Sequence, residues 1–86
     1  MPSVITLTTD FGLSDAYVAS MKGIILDINP KATIVDISHL IEPQNILQAA
    51  FTLHTAHRHF PNGTIHVVIV DPGVGNQRRA IILREC

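Results

Sequence analysis

The sequence has little of several features on which whole classes of proteins depend. It has one cysteine in 86 residues, Cys86, which excludes an intrachain disulfide and a cysteine-based zinc site. Six lysines and arginines stand against seven acidic residues, so the chain lacks a basic surface that follows a phosphate backbone. No apolar run approaches the roughly 18 residues of a membrane span, and residues 1–3 lack the basic start of a secretory signal. We therefore expect a cytoplasmic protein with neither a nucleic-acid nor a membrane partner.

Hydrophobic residues, in contrast, make up 47% of the chain, and isoleucine and valine are prominent among them. β-Branched residues at this density indicate strands that are buried on both faces of a sheet. The length predicts one domain over residues 1–86. Because a domain this small buries only about 60% of its unfolded surface, we expect it to pack against something else. A truncated sheet also exposes an edge and an apolar face, from which we expect a homo-oligomer.

Four β-rich segments alternate with two helical ones. The predicted strands are residues 4–8, 33–37, 64–70 and 80–83. Helices separate the first three strands, which predicts right-handed crossovers and a mainly parallel open sheet, an α/β fold of the three-layer β-α-β-α-β type. The fourth strand follows the third through a loop alone, so the sequence leaves an antiparallel direction open for it.

The two helices have recognisable ends. The first is predicted to begin with Ser14 as its N-cap and Asp15 in its first turn, and to end at Asn29 before Pro30. The second is predicted to carry Pro43 in its first turn. The apolar face expected for the second helix consists of Ile46, Leu47, Ala50, Phe51 and His54.

Three acidic residues stand at or near the ends of successive predicted strands: Asp10, Asp36 and Asp71. Ligands of open α/β sheets bind beyond the carboxyl ends of the strands, so the topology gathers these carboxylates at the binding edge. Caps of loops and helices are the structural alternative for each of them. A magnesium site on the three is a further alternative, weakened because no phosphate-binding loop accompanies them.

The glycine-rich loop after the third strand is the most informative stretch. It reads Asp71-Pro72-Gly73-Val74-Gly75 and is followed by Arg78 and Arg79. Glycines beside Val74 let the backbone approach a ligand closely, and Asp71 and Arg78 can meet across the loop to orient a nucleophile or a substrate. A structural turn with a surface ion pair is the alternative.

The five histidines do not predict a metal site. His54, His57 and His59 lie close in sequence but lack an acidic ligand between them, so packing and a solvated helix end are favoured over zinc. His39 follows a strand and is expected near the ligand edge, whereas His66, within the third strand, is expected to be structural.

Several motifs, in order and spacing, resemble those of the S-adenosyl-L-methionine (SAM) hydroxide adenosyltransferases, a family related to SAM-dependent fluorinases and chlorinases. The motifs are Thr8-Thr9-Asp10-Phe11-Gly12, Ile34-Val35-Asp36-Ile37-Ser38-His39 and Val70-Asp71-Pro72-Gly73-Val74-Gly75 with Arg78. The resemblance implies hydrolysis of SAM, which is the substrate and not a cofactor, to adenosine and L-methionine. Water or hydroxide attacks the ribose 5′ carbon in this reaction, and no cofactor or metal is implied.

The resemblance also assigns roles to individual residues. Asp71 and Arg78 correspond to two members of a water-activating Asp-Arg-His triad and are the predicted catalytic residues. The predicted substrate-binding residues are Asp10 at the ribose hydroxyls, Asp15 at the methionine amino group, and Phe11, Gly73 and Val74. Halogenases resemble Tyr-Pro-Ala-Thr-Gly at this loop, so Asp71 indicates the hydrolytic branch, since a carboxylate repels a halide.

Members of the family are longer and carry a carboxy-terminal β-rich domain. The resemblance implies an active site between the subunits of a trimer, with the triad histidine beyond Cys86. We therefore expect residues 1–86 to be a truncated domain that is inactive alone. A non-catalytic nucleoside-binding module is the alternative.

Overall fold

The protein is described from a computed structural model, which covers residues 3–13, 16–70 and 79–84. Its described strands form one sheet of four in the order β2-β1-β3-β4. The strands are β1 (Val4–Thr9), β2 (Thr33–Ser38), β3 (Ile65–Val70) and β4 (Arg79–Arg84). β2 and β3 both run parallel to β1, whereas β4 runs antiparallel to β3. The predicted α/β fold is confirmed, and the direction of the fourth strand is settled as antiparallel.

The two faces of the sheet follow from the register of β1 with its neighbours. Leu7 is level with Asp36 of β2, and Thr8 is level with Val68 of β3. Because successive residues of a strand point to opposite faces, Leu7 and Asp36 share one face while Thr8 and Val68 share the other. The two helices lie on opposite faces of the sheet.

Helix α1 spans Tyr17–Ile28, and its Lys22 reaches Asp36 on the first face of the sheet. It begins with Ala16 at the N-cap position, and no side chain caps it. The predicted N-cap Ser14 and first-turn Asp15 lie outside the described residues. The predicted end is confirmed, since the Asn29 N–H donates to the carbonyl of Ile25.

Helix α2 spans Ile46–Ala56 and continues as a 3₁₀ turn over His57–His59. The expectation that Pro43 lies in its first turn is wrong. Gln44 has a left-handed backbone with φ of 67°, which breaks the helical path, and Asn45 caps the helix that follows. The side chain of Asn45 accepts a hydrogen bond from the Gln48 N–H at 2.9 Å.

The face of α2 that packs on the sheet also differs from the predicted one. The buried residues of the helix are Ala49 and Leu53, which join Ile41, Val68 and Val70 in the core. The predicted apolar face is instead the exposed one, and all five of its residues lie at the surface: Ile46, Leu47, Ala50, Phe51 and His54. Helix α2 therefore has two apolar stripes, and the sheet covers only the narrower one, which consists of Ala49 and Leu53.

No helix within the described ranges combines the length and the apolar character that crossing a membrane requires.

Candidate functional site

The carboxyl end of β1 lies between the carboxyl ends of β2 and β3, and the segment 10–12 continues from it. The Asp10 N–H donates to the carbonyl of Ile69 at 3.3 Å, which ties Asp10 to the end of β3. On the other side, the Gly12 N–H donates to the carbonyl of His39 at 2.7 Å. The predicted ribose-binding carboxylate is thus placed where parallel strands of an open sheet bind ligands.

Gly12 allows this segment to turn sharply. Its φ of 76° lies in the left-handed region, which costs a side-chain-bearing residue roughly 1–2 kcal/mol. Apart from its chain neighbours, none of the residues that the structure describes has an atom within 4 Å of the position that a Cβ of residue 12 would occupy, so the backbone conformation is what favours glycine here. The turn directs the chain from the end of β1 past the end of β2.

A chain of polar side chains crosses the same edge from β1 to α1. Thr9 Oγ1 lies 2.7 Å from His39 Nδ1, and His39 Nε2 lies 2.8 Å from Asp36 Oδ1. The second carboxylate oxygen of Asp36 accepts from Lys22 Nζ at 2.6 Å. Four residues from three elements are thereby joined, and two of them, Thr9 and His39, are buried.

The environment of Asp36 acts on its acidity in two opposing directions. Partial burial raises the pKa of the carboxyl group, but hydrogen bonds from Lys22 and His39 and the nearby positive charge lower it more. The net effect is a pKa below the ordinary value of 3.8, so the carboxylate is ionised at neutral pH.

Phe11 joins the segment after β1 to helix α1. Its N–H donates to Thr9 Oγ1 at 3.2 Å, and its ring lies 6.0 Å from the ring of Tyr17 at an angle of 52°. Both rings line a cavity of about 460 Å³ with Ser20 and the apolar side chains of α1, namely Met21, Ile24 and Ile25. The volume lies within the range of small-molecule sites, roughly 300–1,000 Å³.

The predicted catalytic loop is framed by described residues at both ends. Val70 and Arg79, the described residues on either side of the loop, are register partners in the antiparallel pair β3–β4, and Asp10 lies at this end of β3. The predicted site residues Asp15, Asp71, Gly73, Val74 and Arg78 lie outside the described residues. Asp10 and Phe11 are the two predicted site residues that the structure places at the edge.

Residues 5–85 match the family described as the SAM hydroxide adenosyltransferase N-terminal domain. The chain belongs to this family. The resemblance seen in the strand-end motifs is thereby confirmed, and so is the assignment of the fold.

Curated relatives of two activities resemble the chain. The (R)-S-adenosyl-L-methionine hydrolase of Methanocaldococcus jannaschii is 49% identical over 84 residues, which cover 93% of this chain and 32% of the relative. The protein of the same name from Thermus thermophilus is 41% identical and covers 85% of this chain and 29% of the relative. The fluorinase of Nocardia brasiliensis is 35% identical, with 94% of this chain and 27% of the relative covered. The chain thus spans about a third of the length of the curated relatives it matches.

Two solved structures share the fold of this chain. The crystal structure of an uncharacterized conserved protein from Thermotoga maritima superimposes with a TM-score of 0.78 at 44% identity, covering 85% of this chain and 28% of that one. A conserved hypothetical protein from Thermus thermophilus superimposes with a TM-score of 0.75 at 40% identity, covering 92% and 33%.

The structure shows the surroundings of two histidines, His66 and His39. His66 is buried in β3, its Nδ1 lies 2.6 Å from Thr6 Oγ1, and its ring packs edge-on against Phe60, as expected for a structural residue. His39 lies at the ligand edge, as the sequence indicates. Among residues 3–13, 16–70 and 79–84, no cluster of three side chains has the composition of a metal site.

The sequence predicted no individual role for two members of the polar chain, Thr9 and Lys22, although Thr9 stands in the first of the family motifs. Thr9 is the last residue of β1 and reads as one more β-branched strand residue. Lys22 reads as an ordinary surface lysine of α1. In the structure, alternation along β1 places Thr9 on the same face of the sheet as Leu7, which is level with Asp36.

Proposed function

We propose that this chain forms the SAM-binding amino-terminal part of an enzyme that hydrolyses SAM to adenosine and L-methionine. The observation that carries the proposal is Asp71 at the start of the signature loop, within a family match that runs over residues 5–85. The higher identity to proteins named SAM hydrolase, 49% against 35% for a fluorinase, supports the same branch.

The reaction proposed is a displacement at the ribose 5′ carbon. Water attacks this carbon and forms the new C–O bond of adenosine, while the C–S bond breaks and its electron pair stays on sulfur. The positively charged sulfonium becomes the neutral thioether of methionine, and the attacking water loses one proton. Because the sulfonium is already a good leaving group, the protein has mainly to align the water and to help remove its proton.

Asp71 and Arg78 are proposed to orient this water. A carboxylate accepts a hydrogen bond from water and favours its deprotonation, and a guanidinium holds the carboxylate in place. The same negative charge disfavours a halide nucleophile, which supports hydrolysis over halogenation.

Asp10 is proposed to hold the ribose. An ionised carboxylate offers two acceptor oxygens, which suit two neighbouring hydroxyl groups. The backbone bond from Asp10 to Ile69 supports this role, because it keeps the residue beside the strand that leads into Asp71. Asp15 is proposed at the amino group of the methionine portion, and Phe11, Gly73 and Val74 at the rest of the substrate.

We propose that turnover requires a part that corresponds to the remaining two thirds of the relatives' length. We propose that the triad histidine comes from that part, that the active protein is a homo-oligomer, a trimer as the resemblance implies, and that it acts in the cytoplasm. No cofactor is proposed, since both products form from SAM and water alone.

The proposal is tested with a chimera in which residues 1–86 replace the matching amino-terminal part of the M. jannaschii relative. The chimera is incubated with SAM in water labelled with oxygen-18, and the products are analysed by mass spectrometry. We expect labelled adenosine and unlabelled methionine. Absence of adenosine, or label in the methionine, would contradict the proposed reaction.

An Asp71→Asn variant of the chimera tests the role of the carboxylate. We expect kcat to fall by about 10²- to 10⁴-fold, the usual contribution of a proton-transfer group. Asp27→Asn is the matched control, because Asp27 is an exposed carboxylate on α1. Equal rates for Asp71→Asn and the unmodified chimera would rule Asp71 out.

A second function is favoured by the fact that the chain spans about a third of the relatives. The 86 residues alone are then a nucleoside-binding module without turnover. NMR titration of the chain with adenosine tests this, with shifts expected at the amides of residues 10–12. SAM turnover by the chain alone at the rate of the chimera would exclude this alternative.

A further inference from the structure

Several hydrogen bonds hold the segment that carries Asp10 and Phe11 in place, and Thr9 and His39 take part in most of them. Thr9 Oγ1 accepts from the Phe11 N–H, and the carbonyl of Thr9 accepts from the Ile41 N–H at 3.3 Å. The carbonyl of His39 accepts from the Gly12 N–H. The side chains of Thr9 and His39 are themselves joined at 2.7 Å, so the fastening points form one connected structure.

A neutral His39 that carries its proton on Nε2 is consistent with the hydrogen bonds of this structure. Asp36 accepts at both carboxylate oxygens, so the proton of His39 lies on Nε2 and points to Asp36. Nδ1 is then an acceptor for the Thr9 hydroxyl, which leaves the hydroxyl oxygen free to accept from the Phe11 N–H. The hydroxyl of Thr9, the Nε2–H of His39 and the Phe11 N–H then each have an acceptor, an arrangement that holds a polar network in one geometry.

Burial rules out a direct chemical role for this group. Hydroxyl, imidazole and carboxylate follow one another as in a nucleophile–base–acid triad. The side chain of Thr9 is fully buried, however, and His39 is only 5% exposed. A substrate at the sheet edge therefore meets the segment 10–12 and not the hydroxyl behind it.

We propose that Thr9 and His39 are positioning residues, which set the backbone of residues 10–12 so that Asp10 and Phe11 meet the nucleoside portion of the substrate. This inference rests on the proposed function, because it takes Asp10 as the ribose-binding residue. Lys22 and Asp36 hold the far end of the imidazole and fix its orientation from α1.

The chain provides a matched pair of threonines for the test. Thr8 and Thr9 are neighbours and both are fully buried, but they point to opposite faces of the sheet. Thr8 Oγ1 finds no hydrogen-bond partner among the residues that the structure describes, whereas Thr9 Oγ1 has two. Replacement by valine keeps the shape of either side chain and removes only the hydroxyl.

We expect Thr9→Val to weaken adenosine binding by about tenfold in NMR titrations of the 86-residue chain, the effect of roughly one lost buried hydrogen-bonded group. Exchange of the Phe11 amide proton should accelerate in the same variant, because its acceptor is gone. Thr8→Val should match the wild type in both measurements. Thr9→Ser, which restores the hydroxyl, should recover adenosine binding and Phe11 protection.

His39 is tested with two amides of different length. Asn places its carbonyl oxygen near the position of Nδ1 and keeps an acceptor for Thr9, whereas Gln reaches towards Asp36 instead. We expect His39→Asn to bind adenosine more tightly than His39→Gln. Adenosine binding equal to that of the wild type in both variants would remove His39 from the proposal.

The outcomes separate this inference from the proposed function. Wild-type chain without adenosine binding would contradict nucleoside binding by these residues, while Phe11 amide exchange would still decide whether Thr9 sets the segment. Wild-type chain that binds adenosine, with Thr9→Val equal to Thr8→Val in affinity, would overturn the positioning role. A general loss of stability in Thr9→Val would lower its melting temperature. In that case the recovery of amide protection in Thr9→Ser would not be confined to Phe11.

Discussion

Asp36 shows how one residue acquires its role from its neighbours. About 40% of its side chain is exposed, yet both of its carboxylate oxygens are occupied, by Lys22 from α1 and by His39 from the segment after β2. A magnesium ion at Asp36 would compete with these two partners for the carboxylate oxygens. The carboxylate at this position joins α1 to the segment after β2, and Asp10, which follows β1, remains the proposed ligand-binding carboxylate.

The pKa of Asp36 predicts a pH-dependent stability. Hydrogen bonds and positive charge hold the folded pKa below 3.8, so this group stabilises the fold above that pH and ceases to do so as pH falls through the lower, folded value. Asp36→Asn should therefore unfold at a lower temperature than wild type at neutral pH. The difference should shrink as pH is lowered from about 6 to about 2, because wild type then loses the same contribution.

Melting curves by circular dichroism across this pH range check the prediction. Asp27→Asn is again the control, as an exposed carboxylate on the same helix as Lys22. A difference between Asp36→Asn and wild type that stays constant with pH would show that the ionised carboxylate contributes nothing.

Helix α2 owes its starting point to a local set of hydrogen bonds. Asn45 accepts from the Gln48 N–H, and the side chain of Gln48 reaches back to accept from the Glu42 N–H at 2.7 Å. The two bonds resemble a reciprocal capping box, in which a residue in the first turn satisfies a backbone donor before the helix. Gln44, with its left-handed backbone, makes the bend that brings these partners together.

Loss of the cap predicts a measurable loss of stability. Asn45→Ala should lower the free energy of unfolding by about 1 kcal/mol, since an N-terminal N–H of α2 loses its acceptor. Asn45→Asp retains an oxygen acceptor at the same place and should stay close to wild type. Urea denaturation of the three proteins measures the difference, and equal midpoints for Asn45→Ala and wild type would refute the role of the cap.

At the scale of the whole molecule, the exposed stripe of α2 is the most unusual surface. Leu47 is 83% exposed and Phe51 is 70% exposed, one turn apart on the same side of the helix. Large apolar side chains grouped in this way mark surfaces that pack against another domain or another copy. The free edge of β4 in the described sheet adds unpaired backbone groups to the same tendency.

We therefore expect the 86-residue chain to self-associate in a concentration-dependent manner. Replacing Leu47 and Phe51 together by lysine should shift the sedimentation profile towards monomer, because two charges must then be buried in any contact on this stripe. Ile28→Lys is the control, since Ile28 is 79% exposed but lies on α1, across the sheet. A wild-type chain that stays monomeric at all concentrations would contradict the prediction.

The strands and the parallel direction of the first three were predictable because local periodicity and the order of the elements along the chain agree. β-Branched runs form 4–9, 33–38 and 65–70, helical segments separate them, and chirality of the crossovers then leaves few arrangements. The position of Asp10 followed from the same reasoning, since the end of a parallel strand in such a sheet is a binding edge. The motifs around Asp10 and Asp71 were also sufficient for the family.

The sequence alone thus determined the α/β fold and the family, because the fold depends on local periodicity and chain order and the family on motifs at the strand ends. The direction of β4, the start of α2 at Ile46 and the choice of its buried stripe were decided by tertiary structure. Two apolar stripes compete on α2, and only the packing of Ala49 and Leu53 against β3 selects between them. The contact between Thr9 and His39 is likewise tertiary, because it joins side chains 30 residues apart that no local pattern relates.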